Sequence, residues 1–319
     1  MYPPVIGQPL IIGGEGPTTL VTPEYVLIQE TDAPTDEYGG TPHLELEDFD
    51  ITESDLPTQV RDRPFQGFDL SATYLPDWNN AGLEVTELEN SVTFALPFPD
   101  WKSPLLISPG FDAYLLSGPV SPDIPPGLYA ASLEVRWLRQ ISERIMLNSS
   151  VKPGWFSDFQ TNNTQAIRAP AQSFVIYEWN PELDLIAGIV YLDRNDVNLL
   201  PAAGVIWKPN SGVRIEAVIP RPGAFFRYRR TPRFEDWFTI AGEFGGGQWA
   251  VERADGADDV LSSRDYRIVS GIERKNLVGG AGGIVEFGYV FGRKYEYYQS
   301  DTPDFEPGNT LLARVGLNY

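Results

Sequence analysis

The chain has 319 residues, with 44 Asp and Glu against 24 Lys and Arg. Its net charge of −20 excludes a nucleic-acid partner, because neutralising phosphates needs an excess of basic side chains. It has no cysteine, which excludes thiolate metal sites, disulfides and cysteine nucleophiles and suits a chain secreted unfolded through an oxidising compartment.

Residues 1–60 contain twelve Asp and Glu and neither Lys nor Arg, which leaves −8 for residues 61–319. Prolines recur at 3, 4, 9, 17, 23, 34, 42 and 57. Such a composition does not build a core of its own. We therefore expect an acidic, Pro-rich periplasmic segment that plugs a lumen or binds another envelope protein. Its run of Glu45, Glu47, Asp48, Asp50, Glu53 and Asp55 is the candidate partner-binding surface. Met1-Tyr2-Pro3-Pro4 has neither the basic start nor the apolar centre of a signal peptide. The chain is accordingly read as a mature or re-engineered form with an arbitrary first residue.

From about residue 65 the chain reads as consecutive strands. Aromatics reach 13%, and 30 Gly and 28 Pro supply turns. No apolar run approaches the roughly 18 residues a membrane helix needs. Ala131, Leu133, Val135 and Trp137 alternate with Ser132, Glu134 and Arg136. Val213, Ile215, Ala217 and Ile219 alternate with Arg214 and Glu216. Val285, Phe287, Tyr289 and Phe291 alternate with Glu286, Gly288 and Gly292. Side chains of a strand point alternately to its two faces, so each segment has a greasy and a wet face. Runs of roughly ten such residues separated by turns are the pattern of a membrane barrel strand.

This predicts an all-β fold: an antiparallel up-and-down transmembrane β-barrel of about fourteen strands over residues 61–319, following the extended N-terminal segment. Twelve results if the hairpin around residues 211–230 is misread. A soluble β-sandwich with a binding role is the competing reading, because it shows the same alternation in shorter strands. Short turns alternate with longer loops, as in outer-membrane barrels. An even strand number then places both termini in the periplasm. The tight connection from Ile219 to Gly223 falls on the long-loop side and breaks the rule. Trp101, Trp137, Trp155, Trp179, Trp207 and Trp237 lie near predicted strand ends, where a membrane interface favours amphipathic rings.

The last strand carries Leu311, Ala313, Val315, Leu317 and Tyr319 on one face and Leu312, Arg314, Gly316 and Asn318 on the other. It resembles the closing strand of bacterial outer-membrane barrels. That resemblance makes the five apolar residues an assembly signal, read by the barrel-assembly machinery. Across residues 65–319 the chain also resembles an uncharacterised family of bacterial outer-membrane β-barrels, a domain of unknown function. The residues that carry this resemblance are Phe94-Ala95-Leu96-Pro97-Phe98-Pro99, Tyr177-Glu178-Trp179 and Tyr191-Leu192-Asp193-Arg194-Asn195-Asp196, together with Leu200-Pro201-Ala202-Ala203-Gly204, Gly242-Glu243-Phe244-Gly245-Gly246-Gly247 and Thr302-Pro303-Asp304-Phe305. The resemblance implies residence in the outer membrane, in contact with its lipid and lipopolysaccharide, and supplies no activity.

Catalysis is not expected. The single His, His43, precedes the barrel, so no serine of the wall has an imidazole base from its own strands. The glycines at 242 and 245–247 lack the Lys-Ser/Thr of a phosphate loop and are read as a bulge or bend. No cofactor is expected. The loop acids Asp193, Asp196, Asp255, Asp258, Asp259, Asp301, Asp304 and Glu306 have the hard oxygens that suit Ca²⁺ but no EF-hand spacing, and are read first as solvated loops.

The interior phase gives the candidate lumen residues Arg214, Glu216, Arg227, Arg229, Glu243, Arg267, Glu273, Glu286 and Arg314. In an open bore they form a charged constriction that selects solutes. In a closed bore they form a salt-bridged plug, a dock for the acidic segment, or pairs that serve stability alone. The leading reading is a passive porin-like channel or envelope scaffold, and the alternative is an anchor subunit of a larger envelope complex.

Overall fold

A computed structural model describes residues 64–78, 82–98, 103–119, 121–161 and 164–319. The expectations placed on residues 1–60, including His43, and on Trp101 lie outside the described residues.

Fourteen antiparallel strands form one sheet that closes on itself. They are β1 (Phe65–Leu75), β2 (Glu84–Pro97), β3 (Pro104–Ser117), β4 (Gly127–Ser142), β5 (Ile145–Val151 and Gly154–Ser157), β6 (Ile167–Arg168 and Ala171–Asn180) and β7 (Leu183–Tyr191). The second half comprises β8 (Leu199–Asn210), β9 (Val213–Ile219), β10 (Gly223–Arg230), β11 (Phe234–Gly245 and Gln248–Glu252), β12 (Asp258–Asn276), β13 (Gly282–Tyr297) and β14 (Thr310–Asn318). Each strand pairs with the next, and β14 pairs back onto β1 with Val315 opposite Ala72. Closure leaves no strand edge with open hydrogen bonds, the condition for spanning a bilayer with strands.

Turns of two residues at 143–144, 181–182 and 211–212 lie at the end where β1 begins and β14 ends, here called the termini end. The longer connections 76–83, 118–126, 158–166, 192–198 and 298–309 lie at the other end. The 220–222 connection is short at this loop end, the exception visible in the sequence. The hairpin of β9 and β10 is a true pair, which sets the count of twelve aside.

Burial alternates along the strands with the predicted period. Phe68, Leu70, Leu88, Phe111, Leu115, Leu133, Val175, Ile189, Ile240, Ile268, Val285, Phe287, Val315 and Leu317 are exposed on the outer wall. Arg136, Glu87, Asp112, Glu216, Glu243, Arg267, Glu273, Glu286 and Arg314 are buried inside. A water-soluble barrel has the opposite distribution, since a continuous apolar belt in water is strongly unfavourable. The barrel therefore spans a membrane with the belt against hydrocarbon.

One tryptophan departs from the interface reading. Trp237 is buried on the inner face near the termini end, where its ring lies under the Arg227 guanidinium. Trp179 and Trp207 are exposed on the wall near that end, as expected of belt residues.

The Gly-rich stretch breaks β11 into its two segments. Gly246 has φ +92°, and a Cβ there would come within 2.1 Å of the Ser263 carbonyl oxygen. Beyond this bend Gln248–Glu252 leans inward, and Ala250 forms a parallel bridge to Ser157 of β5. Since β6 to β10 lie between these strands along the wall, the bridge draws the two sides of the barrel together at the loop end.

Candidate channel interior

The bore is filled in two layers. At the loop end Leu75, Leu83, Tyr114, Leu128, Phe156, Trp249, Val251, Leu261, Tyr295 and Tyr297 form a packed apolar cluster inside the barrel. Trp249 and Tyr114 meet edge to face at 5.1 Å. A second interior cluster, which includes Met146, Phe174, Ile186, Val190, Ile206 and Val218, lines the wall of β5 to β9.

Toward the middle, ion pairs project into the bore. Arg267 of β12 makes a bidentate pair with Glu87 of β2 at 2.7 and 2.8 Å and a second with Asp265. Four of the fourteen strand steps separate β2 from β12, so this contact spans a chord of the lumen in front of β13, β14 and β1. Arg314 of β14 donates to Glu243 of β11 at 2.9 Å, to Glu286 of β13 at 2.8 Å and to the Thr73 hydroxyl of β1 at 3.0 Å. Glu243 also accepts from Arg221, which stands on the short 220–222 connection, at 2.7 Å. That connection thus brings a guanidinium to the network from above. Arg214 pairs with Glu216 on β9. Along the opposite wall Lys152 pairs with Asp112 at 3.2 Å and Arg136 with Glu134.

Of the predicted lumen residues, Glu243, Glu286 and Arg314 come together, and Arg267 lies in the second bridge. Arg214 and Glu216 form a separate pair. Arg227 turns inward at the termini end and binds Glu235 at 2.7 Å and the Ser211 hydroxyl. Glu273 is buried at the same end, opposite Trp237 in the ladder.

Arg229 does not face the lumen. A β-bulge between Arg227 and Arg229 shifts the register, so Arg229 pairs with Asp236 and Arg230 with Glu235. An extra residue in one strand inverts the facing of everything beyond it. Arg230 therefore joins Arg227 on Glu235, and Arg229 points outward. The Arg229 and Arg230 positions carry no composition signal that distinguishes them, so strict alternation misassigns both.

The sequence reading also misses a latch at the loop end. Arg253, between β11 and β12, binds Asp123 of the 118–126 loop through Nε at 3.1 Å and through its terminal nitrogen at 2.5 Å. It reaches Asp259 at 3.0 Å, Ser300 at 2.7 Å and Thr302 at 3.0 Å, and lies 3.8 Å from the Tyr297 ring centroid. One guanidinium thus ties three outer connections over the apolar fill. Asp123 and Arg253 are 130 positions apart, so only folding pairs them.

The Arg253 hydrogen bond holds the Asp123 carboxyl down to about 2, below its ordinary 3.8. A depressed carboxyl stabilises the folded arrangement above its unfolded value and loses that contribution as pH falls through its folded one. The latch is therefore expected to hold at pH 4 and to release as pH approaches 2. Pepsin cleavage within residues 118–126 reads this. Wild type should be cut only near pH 2, whereas Arg253→Ala should already be cut at pH 4.

The loop acids are engaged by the protein itself. Asp193 accepts from the Ala169 amide and the Tyr191 hydroxyl, Asp196 pairs with Arg194 at 3.0 Å, and Asp304 pairs with Lys294 at 2.8 Å. Asp255 accepts from the Ala257 amide and Asp258 from the Thr161 hydroxyl, while Asp301 and Glu306 are exposed. Among the described residues no three His, Asp or Glu are arranged to hold a metal ion. Of the residues expected to form an assembly signal, Leu311, Val315 and Leu317 lie on the outer face with Ala313 between them, and Tyr319 stacks on Phe68 at 5.9 Å beside the closing seam.

A family described as a domain of unknown function, DUF6268, matches residues 120–305. The chain belongs to that family. The DUF6268 match runs from the 118–126 loop to the 298–309 loop and so includes Arg253, Arg267, Glu243 and Glu286 but neither Glu87 nor Arg314. No curated protein matches the chain. Solved structures similar to it include porins and an outer-membrane channel. The NanC porin shares 6% identity at a TM-score of 0.36, covering 79% of this chain and 98% of the porin. An outer-membrane channel from Pseudomonas putida F1 shares 11% at 0.37, covering 82% and 98%. A variant of the Rh. blastica porin shares 10% at 0.30, covering 79% and 97%.

Proposed function

We propose that this DUF6268 protein is a non-enzymatic, porin-like barrel of the bacterial outer membrane that rests closed. The observation that carries this reading is the closed loop end: Trp249 meets Tyr114 and Ala250 pairs with Ser157 across the bore within a packed apolar layer, and the Glu87–Arg267 and Glu243–Arg314 pairs narrow the bore beneath it. Passage of a solute requires the Arg253 latch and the Trp249 layer to move aside. Short turns at the termini end and longer loops opposite support a periplasmic location for both termini. On this reading the acidic residues 1–60 emerge into the periplasm. The filled bore favours an envelope protein over the lumen as their binding partner.

Planar-bilayer recordings test the closed state. Wild type should show little or no conductance, and deleting residues 1–60 should leave it unchanged. Arg253→Ala with Trp249→Ala should produce discrete openings. Large, steady conductance in wild type would refute the closed resting state. Silence in every variant would favour the scaffold over the channel.

A further inference from the structure

We infer that the outer wall at the termini end carries a binding site for the phosphate of an anionic phospholipid headgroup, built by Arg229, Arg274 and Phe234. The bulge in β10 is the origin of the site, because it turns Arg229 outward on a wall otherwise covered by apolar side chains. Arg229, Asp236 and Arg274 then stand side by side on β10, β11 and β12. The two guanidiniums flank the Phe234 ring, 5.0 and 4.3 Å from its centroid. Stacking fixes their planes and leaves their edges accessible.

The charge at this point is unbalanced. Arg274 holds Asp236 at 2.7 and 3.0 Å, and Arg229 approaches the same carboxylate only at 4.0 Å. Asp236 is buried, whereas the side chains of Arg229 and Arg274 are 57% and 54% exposed. Two cations therefore share one anion. The Arg274 fork spends Nε and one terminal nitrogen on Asp236 and keeps its other terminal nitrogen for a further acceptor. An anionic phospholipid supplies the missing negative charge as net charge, which a zwitterionic headgroup cancels with its own cation, and its phosphate diester offers acceptor oxygens that match guanidinium geometry.

Depth selects the occupant. Directly toward the membrane centre stand Phe226, Phe238 and Ile272, all exposed on the same face, with Tyr228 exposed beside Arg229. The guanidiniums thus lie one residue pair beyond the apolar belt, where acyl chains give way to headgroups. A lipid whose tails cover Phe226, Phe238 and Ile272 carries its phosphate to them. The acidic residues 1–60 precede β1, which begins at this end, and are the competing occupant, but this wall faces the bilayer and not the bore.

The inference needs the membrane-spanning barrel and is independent of whether the bore conducts. Native mass spectrometry of the full chain in detergent, titrated with phosphatidylglycerol and with phosphatidylcholine of the same acyl chains, tests it. Wild type should retain one phosphatidylglycerol with a preference on the order of tenfold. Arg229→Gln with Arg274→Gln should abolish the preference, and Arg229→Lys with Arg274→Lys should keep part of it by charge alone. Heat-modifiable gel migration establishes that each variant is folded. Equal retention of both lipids by wild type, or an unchanged preference in the folded Gln pair, would overturn the site. So would a preference that emerges only after residues 1–60 are removed, since the acidic segment would then be the resident ligand.

Discussion

Arg314→Ala is expected to destabilise the barrel by about 3–5 kcal/mol, the usual cost of removing one partner from a buried ion pair. The Arg314 side chain is 0% exposed and is shared by Glu243 and Glu286, whose side chains are also buried. Its loss leaves two carboxylates in a dry bore with Arg221 as the remaining neighbour of Glu243. From the strand pattern alone this substitution is expected to be mild, because an open lumen would hydrate the orphaned acids. The filled bore reverses that expectation. Equilibrium unfolding by urea in detergent or lipid measures the loss. Adding Glu243→Gln and Glu286→Gln to Arg314→Ala should recover much of it, because the repulsion and the charge burial both disappear. A single Arg314→Ala variant as stable as wild type would show that water reaches the network.

Val315→Arg, one residue away, is expected to cost roughly 2–4 kcal/mol for a physically different reason. Val315 is exposed on the outer wall opposite Val285 and Ala72, between Ala313 and Leu317. A guanidinium there must sit in hydrocarbon or bend toward the headgroups. The same unfolding assay in lipid reads this loss, and the cost should fall for an equivalent change closer to the strand end. If Val315→Arg is neutral in lipid, the belt does not face a bilayer at that level. The pair of substitutions separates the two faces: Arg314 fails by leaving charges uncompensated inside, Val315 by introducing one outside.

Much of the architecture was legible because its cause is local. Alternation placed Glu286 and Arg314 inward and Val285 and Val315 outward, since the strand repeat is two residues whatever the strand pairs with. Turn chemistry gave the connections, including the anomalous one at 220–222. The alternation failed at Arg229, and the reading of strand ends failed at Trp237. In β10 one extra residue inverted the facing, and a bulge leaves no mark in composition. Trp237 stands near a strand end, as a belt residue does, but on the inner phase, so position along a strand misled where facing decided. Arg253 and Asp123 gave no signal at all, because both lie in loops and neither interrupts a pattern.

The sequence by itself determined that this chain makes consecutive antiparallel strands with one greasy and one wet face, because hydrophobic alternation and turn spacing are written residue by residue, whereas closure is decided where β14 pairs with β1. Only the tertiary structure decided what occupies the bore. Arg267 reaches Glu87 across 180 positions of chain, and Trp249 reaches Tyr114 past several strands. Such contacts depend on the curvature of the sheet, on the stagger of fourteen strands and on the inward bend at Gly246. Those are properties of the closed cylinder and not of any one segment.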